Sequence, residues 1–210
     1  MSIQKETFRK AKGNMNMGFT LEHTDKTTSF KGEVFIELVD SNGELLHKEH
    51  KKNIITLDAG ILAAILFKDP SSRNNGVNML AVGTGATGAL LSPDAPDQRQ
   101  RKLNAEISRK PFTQTVFRDA SGAAVGIPTN VVDFTCTFDE GEAVGPLNEM
   151  GLLSTISDNT GIKNDNPDSF PTRDLTQDLT LYDILINYLT FSVISKPSTA
   201  RLTITWRITF

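Results

Sequence analysis

Cysteine is nearly absent from the sequence: Cys136 is the single one among 210 residues. An internal disulfide is therefore excluded, as is a metal site built from a cysteine cluster. Long apolar runs are missing as well. The longest, Ile61–Phe67, falls far short of the ~20 residues that a helix needs to cross a bilayer. An excess of positive charge is also lacking. With 22 Lys and Arg against 25 Asp and Glu, the net charge is -3, whereas a general phosphate-backbone binder is usually basic. No nucleic-acid partner and no membrane are expected. The opening stretch MSIQKETFRKAKGN is basic without the apolar core of a secretory signal, so folding in a reducing cytoplasm is expected.

What the sequence has in quantity is alternation. Val34, Ile36 and Leu38 alternate with Phe35, Glu37 and Val39, and Asn42–Gly43 supplies the positive-φ residues of a tight turn before a second strand. This is a hairpin signal with a mechanism behind it. Val132, Phe134, Cys136 and Phe138 alternate with Asp133, Thr135 and Thr137. The C-terminus alternates most regularly, with Leu202, Ile204, Trp206, Ile208 and Phe210 on one face. Period two over such lengths means one buried face and one wet face. TLDAGILAAILFKDP reads as one short helix, with Thr56 or Asp58 at its start and Pro70 beyond its end. Being apolar nearly all round, it is expected to be buried against a sheet. VNMLAV reads as a buried strand. Strands in runs with turn-rich connections predict an all-β fold: an antiparallel β-sandwich with one short buried helix. The domain plan is an N-terminal arm over residues 1–30 and a single β-sandwich domain over 31–210. The arm is lysine-rich, and its apolar residues Phe8, Met15, Met17, Phe19 and Leu21 are too scattered for a core of their own.

Gly83, Gly85 and Gly88 stand in the spacing G-x-G-x-x-G, which cradles a pyrophosphate when a strand precedes it and a helix follows. Here Pro93 and Pro96 fall where that helix should run, each removing a donor and clashing with the preceding turn. The glycines therefore read as a structural turn. His47 and His50 sit on a strand, where residues three apart point to opposite faces, so they do not chelate together. Cys136 lies in an apolar row and reads as a buried structural thiol. RQRKLNAEISRK is a local basic cluster, read as a solvated face, with an acidic partner as the alternative. SDNTGIKNDNPDSFPTRD holds many oxygen ligands without calcium-loop spacing and reads as a surface contact loop. Glu140, Glu142 and Glu149 are not paired at the separation that glycoside cleavage needs, and no G-x-S-x-G elbow is present. No catalytic, cofactor-binding or metal-ligating residue is nominated.

Taken in order, KNIITLDAGILAAILF, MLAVGTGATGALLSPDAPDQRQRKLNAEISR, LNEMGLLS and LTFSVISKPSTARLTITWRITF resemble a family of bacteriophage tail-associated structural proteins. The shared pieces are an N-x-I-T segment leading into a short apolar helix, and a strand ending in GTG. They continue with an acidic-then-arginine strand, an E-x-G-L strand and a closing W-x-I-x-F. The resemblance spans about residues 50–210, apart from much of 157–180, and has no counterpart for residues 1–50. It implies a non-enzymatic virion component of the tail, baseplate or neck, made in the host cytoplasm. Its expected state is homo-oligomeric, connecting subunits or fibres among other phage tail or baseplate proteins. The alternative is a receptor-binding module taking host-surface glycan through the 154–180 loop, where Phe170 is the one aromatic. A glycan depolymerase is the third reading, opposed by the unpaired carboxylates. Titration calorimetry with NAD, NADP and ATP is expected to be flat. Saturable heat tighter than about 100 μM, roughly 5.5 kcal/mol of binding, would overturn the structural reading of the glycines.

Overall fold

A computed structural model describes residues 31–68, 76–155 and 183–210. The strands are β1 (Lys31–Val39), β2 (Leu45–Ile55), β3 (Met79–Gly83), β4 (Gly88–Ala89), β5 (Ser92–Pro93), β6 (Glu106–Pro111), β7 (Gln114–Arg118), β8 (Ala124–Val125), β9 (Val131–Phe138), β10 (Gly145–Ser154), β11 (Ile184–Lys196) and β12 (Arg201–Thr209). The helix is α1 (Leu57–Lys68). All described pairings are antiparallel. The order β6-β3-β10-β11-β2-β1-β12-β9-β7-β8 runs through ten strands, with β4-β5 as a separate hairpin. The readings for the arm over 1–30 and for residues 156–180 lie outside the described residues.

The ten strands form two layers because β2 changes partner part-way. Gly32 to Leu38 of β1 pair with Asn53 to His47 of β2, whereas Ile54 and Ile55 pair with Tyr188 and Asn187 of β11. The first layer is therefore β2-β1-β12-β9-β7-β8 and the second β6-β3-β10-β11, with the end of β2 as the corner. Val34, Ile36, Ile204, Trp206 and Phe138 from the first layer meet Leu80, Val82, Met150, Leu152 and Phe191 from the second in one core. The protein is an all-β antiparallel sandwich. The period-two rows of β1, β9 and β12 face inward, with Trp206 opposite both Val34 and Phe134; Phe210, expected at the end of the last row, falls past the strand and is exposed.

The second layer is covered on its outer face too. Met79, Ala81, Leu153, Leu185 and Tyr188 form a smaller cluster there under Leu103. That accounts for the near-continuous burial of β3 and β10. Helix α1 seats Leu62 in the main core, with Ala59, Ile65 and Leu66 packed beside it, while Phe67 is 91% exposed. Thr56, expected as a cap, turns its hydroxyl to the carbonyl of Ile186 at 3.0 Å instead. It thereby fixes the helix start to β11.

Tight turns repeat one chemistry. Asp40 accepts the Asn42 and Glu44 amides at 2.8 Å through Oδ1. Asp119 accepts those of Ser121 and Ala123 at 2.9 Å. Gly43 and Gly122 each take φ +86°, a backbone region open to glycine and strained for other residues. Strand direction gives the sandwich two unlike ends. The Asp40, Asp139 and Pro197 turns share one end. Lys31, Asn78, Thr155, Asp183 and Thr209 share the other, where β2 finishes at Ile55. Trp206 is wholly buried at the centre of the core. Trp206→Ala is expected to cost about 3–5 kcal/mol, as large aromatic deletions do. A thermal melt checks this, and an unchanged midpoint would contradict the assignment.

Candidate functional site

The motifs singled out in the sequence meet at one buried carboxylate. Glu149 sits on β10 with no exposed surface, on the outer face of the second layer. Its Oε1 accepts the amides of Gly85 at 3.0 Å and Ala105 at 2.8 Å. Its Oε2 accepts the amide of Asn104 at 3.0 Å and the Tyr188 hydroxyl at 2.7 Å. Four donors from three separate chain segments thus surround one side chain, about as many as the lone pairs of an ionised carboxylate accept. The neighbouring Asn148 accepts the Ala86 amide at 3.0 Å, and Thr84 donates its amide to the Ala105 carbonyl at 2.9 Å. Asn104 closes the ring by donating Nδ2 to the Gly85 carbonyl at 3.1 Å.

The glycines follow from this arrangement. A Cβ on Gly83 would lie 2.5 Å from the Ala105 oxygen and 2.6 Å from Glu149 Oε1. One on Gly85 would lie 2.4 Å from the Ala105 nitrogen and 2.7 Å from the same carboxylate. Only glycine lets both loops close on Glu149. The Gly85 amide, which in a nucleotide site would meet phosphate, already donates to a carboxylate, and a phosphate there would face buried negative charge. After Gly85 the chain enters the β4-β5 hairpin, with Leu90 and Leu91 at its tip, and not a helix. Burial, together with the Glu149 charge, pushes the Tyr188 phenol up from its ordinary range.

The RQRKLNAEISRK stretch is a correction. It is not a plain solvated face, because Arg101 and Arg109 turn inward, while Arg99 stays exposed. Arg101 Nε lies 3.0 Å from Asp58 of α1. Arg109 is buried between Glu106, which it grips with two nitrogens, and Asp183 at 2.6 Å. Burial opposes the guanidinium charge, but the bonds to Glu106 and Asp183 outweigh it and hold its pKa above the ordinary value. Three residues apart on a regular strand, Glu106 and Arg109 would face opposite ways; the register shift that skips Ile107, with Val82 opposite Ser108 and Gly83 opposite Glu106, brings them together, and the spacing alone does not show it.

The other singled-out residues are dispersed. His47 pairs with Leu38 and faces inward beside Glu49 at 3.4 Å. His50 faces outward, stacked on Phe35 with ring centroids 4.4 Å apart. They lie on opposite faces, as expected. Cys136 is buried, and burial pushes its thiol up to about 12, which keeps it protonated and inert. Glu142 accepts Lys110 at 2.6 Å, well away from Glu149. Lys196, fully buried, donates to the Asp139 carbonyl at 3.0 Å and is lowered by burial.

Asp133 is a second anchor, missed in the sequence because it falls in the row expected to be wet. It is 1% exposed. It accepts Arg207 Nε at 2.7 Å and Nη2 at 2.9 Å, and Arg118 Nε at 2.7 Å. Burial works against its charge, but the two guanidinium groups prevail and hold its carboxyl below the usual range. Among the described residues, no group of three or more His, Cys, Asp and Glu side chains is arranged to hold a metal.

No family model matches the chain, and no curated protein matches it. The geometry therefore stands alone, and it makes Glu149 a staple between two loops. Glu149→Gln would turn an amide NH2 toward two of the four donors, whichever oxygen it replaces. It is expected to cost about 2–4 kcal/mol, from the ~1–3 kcal/mol of each orphaned buried group. Tyr188→Phe, which removes one donor and leaves the charge, is expected to cost ~1 kcal/mol. Urea unfolding midpoints check both; equal midpoints for the two variants would refute the four-donor staple.

Proposed function

We propose that this chain is a non-enzymatic structural component of a bacteriophage virion. Its place is the tail, baseplate or neck, where it connects subunits or fibres during assembly. The observation that carries this reading is the convergence on Glu149. The GTG and E-x-G-L pieces of the family resemblance, together with Asn104 and Ala105 just before its acidic-then-arginine strand, far apart in the chain, become one hydrogen-bonded unit. Residues shared for their chemistry would aim free groups at solvent. These spend their donors and acceptors on each other, which suits a scaffold made to hold shape within a larger assembly.

Oligomerisation through sheet edges, loops and the residues before Lys31 is the working mode, with like copies and other tail or baseplate proteins as partners. A second reading, a receptor-binding module for host-surface glycan, draws on the posts flanking the polar segment between Thr155 and Asp183. Asn78 donates Nδ2 to the Thr155 hydroxyl at 2.9 Å and accepts its amide at 2.9 Å, and Arg109 grips Asp183. A segment held at both feet is a suitable carrier for a contact loop.

Sedimentation and negative-stain microscopy of the purified chain, alone and with neighbouring tail proteins, separate the two. Rings or defined oligomers are expected, with amides of residues 1–30 exchanging more slowly in the assembly than in the lone chain. A monomer that joins no tail protein would overturn the assembly reading.

A further inference from the structure

The outer face of the first layer carries a trough that the assembly reading does not use. Its floor is made of short side chains. Thr203 and Thr205 of β12 face outward and meet Thr137 and Thr135 of β9 at 3.3 and 3.0 Å. One wall is taller: Phe35 of β1, stacked on His50 of β2 at an interplanar angle of 4°. Across the floor Asp133 holds Arg118, and from the same anchor Arg207 reaches back over the Phe35 ring. The volume is about 430 Å³, within the ~300–1,000 Å³ of small-molecule sites.

We propose that this trough is a binding site for a neutral oligosaccharide. Three features point to that class. Hydrogen-bonding capacity is left over: each threonine pair shares one hydroxyl proton and keeps another. Arg207 Nη1 and Arg118 Nη2 have no protein acceptor among the described residues. Charge is balanced: on this outer face Lys48, Arg118 and Arg207 stand against Glu37 and Asp133, with Glu33, opposite Arg207, as the third acid. A strongly anionic or cationic ligand would be desolvated without a net opposite charge to meet it. A sugar presents hydroxyls that both donate and accept, and needs no such partner. The third feature is the wall. The Phe35 ring is fixed between His50 and Arg207, whose Cζ lies 5.4 Å from the ring centroid. With His50 stacked on it and Arg207 over it, the ring presents its edge as an apolar border beside a polar floor.

The arginines do not bind first and order later. Asp133 already holds both guanidinium groups with charge-assisted bonds, so little side-chain entropy is lost when a ligand arrives. The site lies on strands β1, β2, β7, β9 and β12, and its occupancy does not depend on the assembly reading.

The probes are maltohexaose, mannohexaose and a β-1,4-linked galactohexaose, with polygalacturonate as the charged control, followed by amide and methyl NMR shifts of the full chain. At least one neutral hexasaccharide is expected to shift Thr203, Thr205, Phe35 and Arg207 saturably. Thr205→Val, which keeps the β-branched shape, is expected to weaken it roughly tenfold, ~1.4 kcal/mol, at an unchanged melting midpoint. Phe35→Ala is expected to weaken it at least as much. Because no net charge is used, high salt should leave the affinity unaltered. The proposal fails if none of the three neutral sugars shifts these residues. It fails equally if only polygalacturonate binds, with affinity lost in salt, or if the shifts fall on residues 156–182.

Discussion

A buried negative charge without its donors would destabilise any sandwich, and the second layer is arranged so that Glu149 is never without them. Removing a carboxylate from water is expensive unless its lone pairs are met in the interior. Three backbone amides and one phenol meet them here. The loop after β3 must approach β10 closely, hence Gly83 and Gly85. The 94–105 segment must fold back over the outer face, and its return brings Leu103 down onto Met79, Ala81 and Leu153. One electrostatic requirement thus fixes two loops and, through them, the second hydrophobic cluster.

Much of this fold was legible in the sequence wherever one face is wet. β1, β9 and β12 alternate because each has one side in the core and one facing out, and their inward rows match the expected residues apart from Phe210, which is exposed. The Asn42–Gly43 hairpin was legible for a local reason, the positive φ at Gly43. The candidate site was less legible. β10 is buried on both faces, so LNEMGLLS shows no period, and Glu149 is indistinguishable in the sequence from a surface glutamate. Its donors lie 39 to 64 residues away, a distance that spacing alone does not bridge. Arg109 and Asp133 were hidden differently. Each is a charged residue where a solvated one was expected: Asp133 meets arginines from β7 and β12, and Arg109 meets Asp183 just before β11 as well as Glu106 of its own strand.

The first layer meets a separate problem at β2. Up to Asn53 this strand has β1 on one side, and its inward positions carry His47, Glu49 and Lys51 opposite Leu38, Ile36 and Val34. Glu49 and Lys51 are 3.0 Å apart, and both stay partly exposed at the open margin of the sandwich. Inward charges on an edge strand oppose its pairing with a foreign strand, since docking would bury them. The bland alternation of LLHKEHKKNII is therefore a protective pattern, and it ends where Ile54 and Ile55 begin to pair with β11.

The two posts at Thr155 and Asp183 bear on how such a scaffold diversifies. Ser154 pairs directly with Ile184, so the ladder is already closed before the intervening segment starts. Closing a loop grows only logarithmically harder with length, about 0.6 kcal/mol for each doubling. The register of β10 and β11 does not count the residues between the posts. Recombination could exchange that segment for one of another length or composition without disturbing Glu149 or the core. The sandwich then acts as a cassette holder, in which one insert is free to vary while the frame around it is held constant.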